Sequence, residues 1–334
     1  MAGDSNRPWG DSVPDRRSFL VSIGALGTAI GARAQPVPAA RIGWVSYTAP
    51  GVALDAFQDG MRALGYFGSS AIDIDLRVVE PNPDRVRTAI EDLQNRPVAL
   101  IFCQAAVAPI AHRINAGRVP LVFAFSGDPV VAGLVESFAR PGGNTTGMSF
   151  LALELVGKRL EVMKSIVPSL RRVAIVANPQ HPGEPAELRA SLDAAERLGV
   201  QPAYVPILPG ESPDSAFDRI RQERVQGIIV FQDAGMVARA ARIAEFALRE
   251  RLAAISGWAQ FAESGFLATY GPNLNDGYRR LSVYVDRILK GARARDLPVE
   301  RPTRIELVIN LKTAKALGLA IPQSLLLQAN EVIQ

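Results

Sequence analysis

Side chains able to act as nucleophile, base or metal ligand are sparse in this 334-residue chain, which has two histidines, His112 and His181, and one cysteine, Cys103. Covalent or hydrolytic chemistry needs a nucleophile beside a base, a metal cluster or paired carboxylates, and the sequence spells none of these. His112 is expected in the helix after the third strand and His181 in the proline-rich loop ANPQHPGEP, so neither is read as functional. A single thiol and two separated imidazoles do not make a zinc site. No metal, no cofactor and no enzymatic role is expected. With one cysteine there is no intrachain disulfide, and stability must come from apolar burial.

A phosphate-cradling loop is the next chemistry to weigh. Residues 126–147, SGDPVVAGLVESFARPGGNTTG, follow an apolar run at 119–125 and are rich in Gly, Pro and Asp. A dinucleotide fingerprint requires G-x-G-x-x-G, and a P-loop requires Gly-Lys-Ser/Thr; the stretch has neither. Asp128 and Pro129 instead read as a helix start, Asp128 capping free N–H groups rather than meeting a ligand. Val131, Leu134, Val135 and Phe138 follow at helical spacing, which predicts a packed helix stopped by Arg140, Pro141, Gly142 and Gly143. Residues 144–150 should then run extended toward a second lobe. What survives is a strand whose C-terminal end meets a helix N-terminus, where open α/β sheets bind ligands.

The elements that must position such a site are α/β in pattern. From Arg41 onward short β-branched runs alternate with amphipathic ones, predicting strands at 41–46, 72–79, 98–102, 119–125, 172–177, 203–207, 226–231, 252–256, 265–270 and 304–309. RIGWVSYTAPGVALDAFQDGMRALGY and RRVAIVANPQHPGEPAELRASLDAAERLGV run through the same order of strand, loop, helix and Leu-Gly. Their helices carry apolar stripes, Phe57, Met61, Leu64 in one and Leu188, Leu192, Ala195, Leu198 in the other. Two similar Rossmann-like lobes with parallel sheets are the simplest reading, lobe 1 from residues 41–148 with 271–302 and lobe 2 from 149–270 with 303–334; one large continuous sheet stays open as the alternative. At 48% hydrophobic and 21% charged the chain is globular. Its net charge of +4 comes from basic residues interleaved with acids, so no nucleic-acid partner is expected.

The N-terminus reads as a leader. Arg16 and Arg17 precede a weakly apolar run at 19–30, and Ala32, Arg33, Ala34 end it, as in a twin-arginine signal peptide spanning residues 1–34 and cleaved after Ala34. The run is shorter than the roughly twenty residues a membrane-spanning helix needs. No cysteine near the cleavage site is available to carry a lipid. The mature protein is expected free in the periplasm, not embedded in a membrane.

SGDPVVAGLVESFARPGGNTTG and the terminal IELVINLKTAKALGLAIPQSLL strongly resemble the substrate-binding proteins of ABC transporters, in the group that includes tryptophan-binding members. The resemblance covers about residues 14–334. It implies a type I periplasmic-binding-protein architecture with a hinged interlobe cleft, a small-molecule ligand held between the lobes, and delivery to an ABC permease by a monomer. Members of that family often carry a Gly-rich loop where Cys103 and Gln104 stand, and this chain departs from it.

In such a binder the contacts come from loops at the C-terminal strand ends. Those are Ser46, Tyr47 and Thr48, then Cys103, Gln104 and Ala105, then Ser126 and Gly127 from the first lobe. The second contributes Asn178, Gln232, Asp233, Trp258 and Tyr270. Tyr47, Phe125, Trp258 and Tyr270 are candidate walls for a flat or aromatic solute. Asp233 is either a partner for a ligand amine or a helix cap, and Cys103 either packing or a contact. An exported sensor that presents its liganded form to a membrane signalling protein is the alternative function the sequence leaves open.

Overall fold

Runs of branched and apolar residues become twelve strands among the described residues of the computed structural model, which are 40–334 apart from Pro81 and Ala152. The expected leader and cleavage site lie outside them. One sheet holds β1 (Arg41–Ser46), β2 (Asp73–Val78), β3 (Leu100–Gln104), β4 (Leu121–Phe125) and β5 (Thr145–Ser149) in the order β2-β1-β3-β4-β5, all parallel. The other holds β6 (Arg172–Ala177), β7 (Gln201–Pro206), β8 (Gly227–Val230), β9 (Ala253–Ser256), β10 (Ala268–Pro272), β11 (Ile305–Asn310) and β12 (Glu331–Ile333). Its order is β12-β11-β10-β9-β8-β6-β7, and within it β10 and β11 pair antiparallel while the other pairs are parallel. The single continuous sheet is thereby excluded. No helix of the described residues is long and apolar enough to cross a membrane.

Each sheet is buried on both faces, as parallel strands require. In the first, Trp44, Phe102 and Val122 face one apolar layer while Val45, Ile101, Cys103 and Phe123 face the other. Trp44 stacks on its register partner Phe102 at 4.0 Å. The helix Leu274–Leu289 comes late in the chain but packs here: Tyr278, Leu281, Tyr284 and Val285 share the layer of Trp44 and Phe57. The chain therefore passes between the sheets three times, after β5, after β10 and before β11.

Three sequence expectations are corrected. The helix expected from Asp128 is a single turn. Asp128 does cap it, accepting from the N–H of Val130 at 2.8 Å and of Val131 at 3.2 Å. Gly133 then takes φ +69°, and the N–H of Leu134 donates back to the Pro129 carbonyl at 2.8 Å, a helix-stop geometry one turn after the start. Val131 is consequently 81% exposed, while Leu134 and Val135 are buried by the loop path rather than by a helix face. Residues 144–150 are likewise more than a crossing: Thr145–Ser149 completes the first sheet as β5 beside β4. Gly147 permits this, because a Cβ there would lie 2.2 Å from the Phe123 carbonyl oxygen.

The third correction concerns the helix Glu184–Leu198. Of its expected stripe, Ala195 is buried and Leu188 and Leu198 pack against the core, but Leu192 is exposed, and Glu187, Ser191 and Ala194 are buried instead. This face brings the Glu187 carboxylate to Arg159, 2.7 Å away with both side chains out of water. A buried ion pair overrides a one-residue shift in a weak apolar stripe, because leaving either charge unpaired costs several kcal/mol.

Close backbone approach also fixes the second crossing. A Cβ on Gly271 would fall 1.9 Å from the Gly257 carbonyl oxygen, so the loop after β9 lies directly on β10. Gly271→Ala is expected to destabilise the protein by about 1–3 kcal/mol and to lower Tm by several degrees in a calorimetric or dichroism melt.

Candidate ligand-binding site

Parallel strands aim their C-terminal ends, and the loops that follow, in one direction; here the loops after β1, β3 and β4 face those after β6, β8 and β9. Two cavities lie between them. One, of about 340 Å³, is lined by Tyr47, Ala105 and Arg113 from the first set and by Asn178, His181 and Asp233 from the second. The other, of about 210 Å³, is walled by Phe150, Trp258 and Tyr278, with Thr48, Gln104, Ser126 and Gln260 supplying polar atoms. Ala105 and Ala234 line both, so the chambers adjoin. The larger chamber holds an acid, a histidine and an arginine. Among the described residues, the smaller has no acid, lysine, arginine or histidine in its lining.

The two sets of loops touch. His181 Nδ1 accepts from the Gly183 N–H at 3.1 Å, which leaves the proton on Nε2; that N–H donates to Ser126 Oγ at 2.7 Å. The imidazole stacks on Phe125 with centroids 6.1 Å apart. Beside it the backbones themselves meet: a Cβ on Gly183 would lie 3.0 Å from Gly127 Cα. Further along, a Cβ on Gly235 would lie 3.3 Å from the Tyr47 ring. The conformation is closed at these points.

Of the residues singled out by sequence, Tyr47, Asn178 and Asp233 line the larger chamber, Thr48, Gln104, Ser126 and Trp258 the smaller, and Ala105 both. Asp233 is also a cap, its Oδ1 accepting from the Met236 N–H at 2.9 Å, so its two readings hold together. Asn178 Oδ1 similarly accepts from the Gln180 N–H at 3.0 Å.

The others line neither chamber. Ser46 is buried and hydrogen-bonds to the Thr48 carbonyl and Gln104 Oε1. Gly127 serves the backbone contact with Gly183. Cys103 points to the opposite face of β3 from Phe102 and Gln104, among Val45, Val107 and Phe123, and burial pushes its thiol well above the ordinary range. Gln232 is 2% exposed and lies against Gly257. Tyr270 packs on the core of the second sheet, and its carbonyl accepts from Arg159 Nε at 3.0 Å.

Two of the four expected aromatic walls are replaced. Phe125 is fully buried behind His181 and Tyr270 faces the core; Phe150 and Tyr278 take their places. Sequence reading also passed over His181, which is buried in the larger chamber's wall. The signal available for it was the pair of glycines, Gly127 and Gly183, that let the two loops approach. His112 sits in the helix Val107–Asn115 as expected, with Nδ1 2.9 Å from Thr145 Oγ1.

Burial pushes His181 below its ordinary value of 6.5, with the Asp233 charge opposing the shift. The unfolded chain then takes up this proton before the folded one does. The stabilisation is complete above 6.5 and lost as pH falls below it. His181→Gln keeps an N–H donor for Ser126 without the titration. Between about pH 7 and pH 5 its melting temperature should fall less steeply than that of the wild type, with His112 titrating equally in both.

Comparison with known proteins places the chain. A tyrosine-binding protein of Clostridioides difficile (strain R20291) is 22% identical over 265 residues, 79% of this chain and 75% of that protein. Among solved structures, the ABC domain in complex with L-Trp from Streptococcus pneumonia superposes with a TM-score of 0.80 at 23% identity, covering 88% of this chain and 99% of that one. The ligand-free, open structure of a substrate binding protein with adhesive properties from Clostridium difficile gives 0.65 at 21% identity, covering 88% and 99%. At these identities the structures share a fold, that of the periplasmic binding proteins. The model of the ABC transporter substrate binding protein family matches residues 42–333, and the chain belongs to that family.

Proposed function

We propose that this substrate-binding protein captures a small aromatic molecule, an aromatic amino acid or a related carboxylate, outside the cytoplasm and delivers it to an ABC permease. The observation that carries the reading is the segregation of the two chambers. The smaller is walled by three aromatic rings and, among the described residues, has no charged side chain, so it suits a ring. The larger supplies Asp233 and Arg113, partners for the ammonium and carboxylate of an attached head group. The relatives whose names record tyrosine and L-Trp support the same class.

Residues 41–148 with 271–302 form one lobe in this reading, and 149–270 with 303–334 the other, the chain crossing between them where the sheets exchange segments. Opening separates Ser126 from His181 and Gly127 from Gly183; closure brings them back and removes the guest from water. Binding shifts the population between these states, and no covalent step is involved. The protein acts as a monomer in the periplasm, reached by the twin-arginine route with cleavage after Ala34.

Titration calorimetry of the purified protein with L-tryptophan, L-tyrosine, L-phenylalanine and 4-hydroxybenzoate should find at least one saturable ligand. Saturable binding of a sugar or an aliphatic amino acid, with no response to these four, would overturn the reading. Trp258→Ala should weaken binding of the aromatic ligand by about tenfold or more. Cys103→Ser, behind the sheet face, should leave the affinity within about twofold. Asp233→Asn retains the cap: it should weaken an amino acid by about tenfold and spare a carboxylate that lacks the amine.

A further inference from the structure

We propose that Arg159 is a positioning residue for the binding site, holding together from below the three loops that the second sheet contributes to it. The role rests on the binding reading above. Arg159 is on the helix Val156–Ile166, is fully buried and touches neither chamber. Its guanidinium nevertheless reaches the root of each loop. Nη1 donates to Glu187 Oε1 at 2.7 Å, and the Glu187 N–H donates to the Gly183 carbonyl at 3.1 Å, which ties the Asn178–His181 loop. Nη2 makes no hydrogen bond among the described residues; it packs with Gln232 Oε1 against Gly257, where a Cβ would lie 2.7 Å from the first and 2.4 Å from the second. Gln232 precedes Asp233, and Gly257 precedes Trp258. Nε donates to the Tyr270 carbonyl at 3.0 Å, and the next residue, Gly271, is the one on which the Gly257 carbonyl rests.

One planar cation thus spans the segments bearing His181, Asp233 and Trp258 together with the strand that leads to the first sheet. The fork geometry is specific to arginine. A lysine ammonium is a single point on a flexible stem and cannot meet Glu187, Tyr270 and the Gln232–Gly257 corner together. A plain structural ion pair behaves differently, since replacing both of its members by apolar residues is often neutral for stability. Positioning of the loops, by contrast, is lost however the guanidinium is removed.

The experiment is hydrogen exchange on the whole, unliganded protein, comparing the wild type with Arg159→Lys and with the double variant Arg159→Met, Glu187→Leu. The reporters are the amides of His181, Met236 and Phe261, which donate within the three loops to the Asn178 carbonyl, Asp233 Oδ1 and the Trp258 carbonyl. All three should exchange about tenfold faster in both variants as the packing under the loops loosens, while amides of β1 and β6 keep their rates. Wild-type rates at the reporters in the double variant, or acceleration everywhere alike, would overturn the proposal. Should Arg159→Lys fail to fold, the double variant gives the same decision. If the wild type binds none of the four aromatic probes, the ligand reading fails, while the exchange rates still decide the role of Arg159.

Discussion

A guanidinium with no exposed surface dictates much of the second lobe. Arg159 is held out of water by Glu187 on Nη1 and the Tyr270 carbonyl on Nε, with Nη2 unpartnered among the described residues, and each partner constrains a different element. Glu187 fixes the rotation of the helix Glu184–Leu198, with Leu192 left in solvent. Tyr270 fixes β10 at the point where the chain leaves for the other sheet. The glycines at 257 and 271 follow from the same crowding, since no side chain fits between the loop and the strand.

The two halves meet through a second economy of side chains. At Gly127 and Gly183 the contact is backbone against backbone, and a polar link beside it joins His181 to Ser126. That hydrogen bond has a net worth of about 1 kcal/mol. A contact of that strength can be made and broken, as a protein that must release its cargo requires. The cargo's burial then supplies the remaining bias toward the closed form.

The α/β class and ten of the strands could be read from sequence, because parallel strands buried on both faces appear as continuous apolar runs, and the strand-end loops expected to meet a ligand are those that border the two cavities. The missed strands are instructive. TTGMS in β5 has no long apolar run, and its burial depends on Gly147 meeting Phe123 across the sheet; EVI in β12 is three residues at an edge. The helix expected at Asp128 failed because Gly133, read as interior, is a stop signal when the chain takes a left-handed turn there. Within the site, loop membership was legible and side-chain direction was not. Cys103 and Gln104 are neighbours, yet strand alternation sends one to the core and the other to the cavity. Tyr278 was missed for another reason: residues 271–302 were expected with the first lobe, but which side chain of that helix reaches the cavity depends on packing against Trp44 and Phe102, which no local pattern encodes.

Ala105 lines both chambers and takes φ +59°, a left-handed backbone that glycine would occupy more easily by about 1 kcal/mol. The chain thus keeps a methyl group at the doorway between the two rooms at some loss of stability. Glycine there would relax the backbone and widen the passage. The methyl therefore occupies space where the two chambers adjoin, a volume held at the cost of a strained backbone.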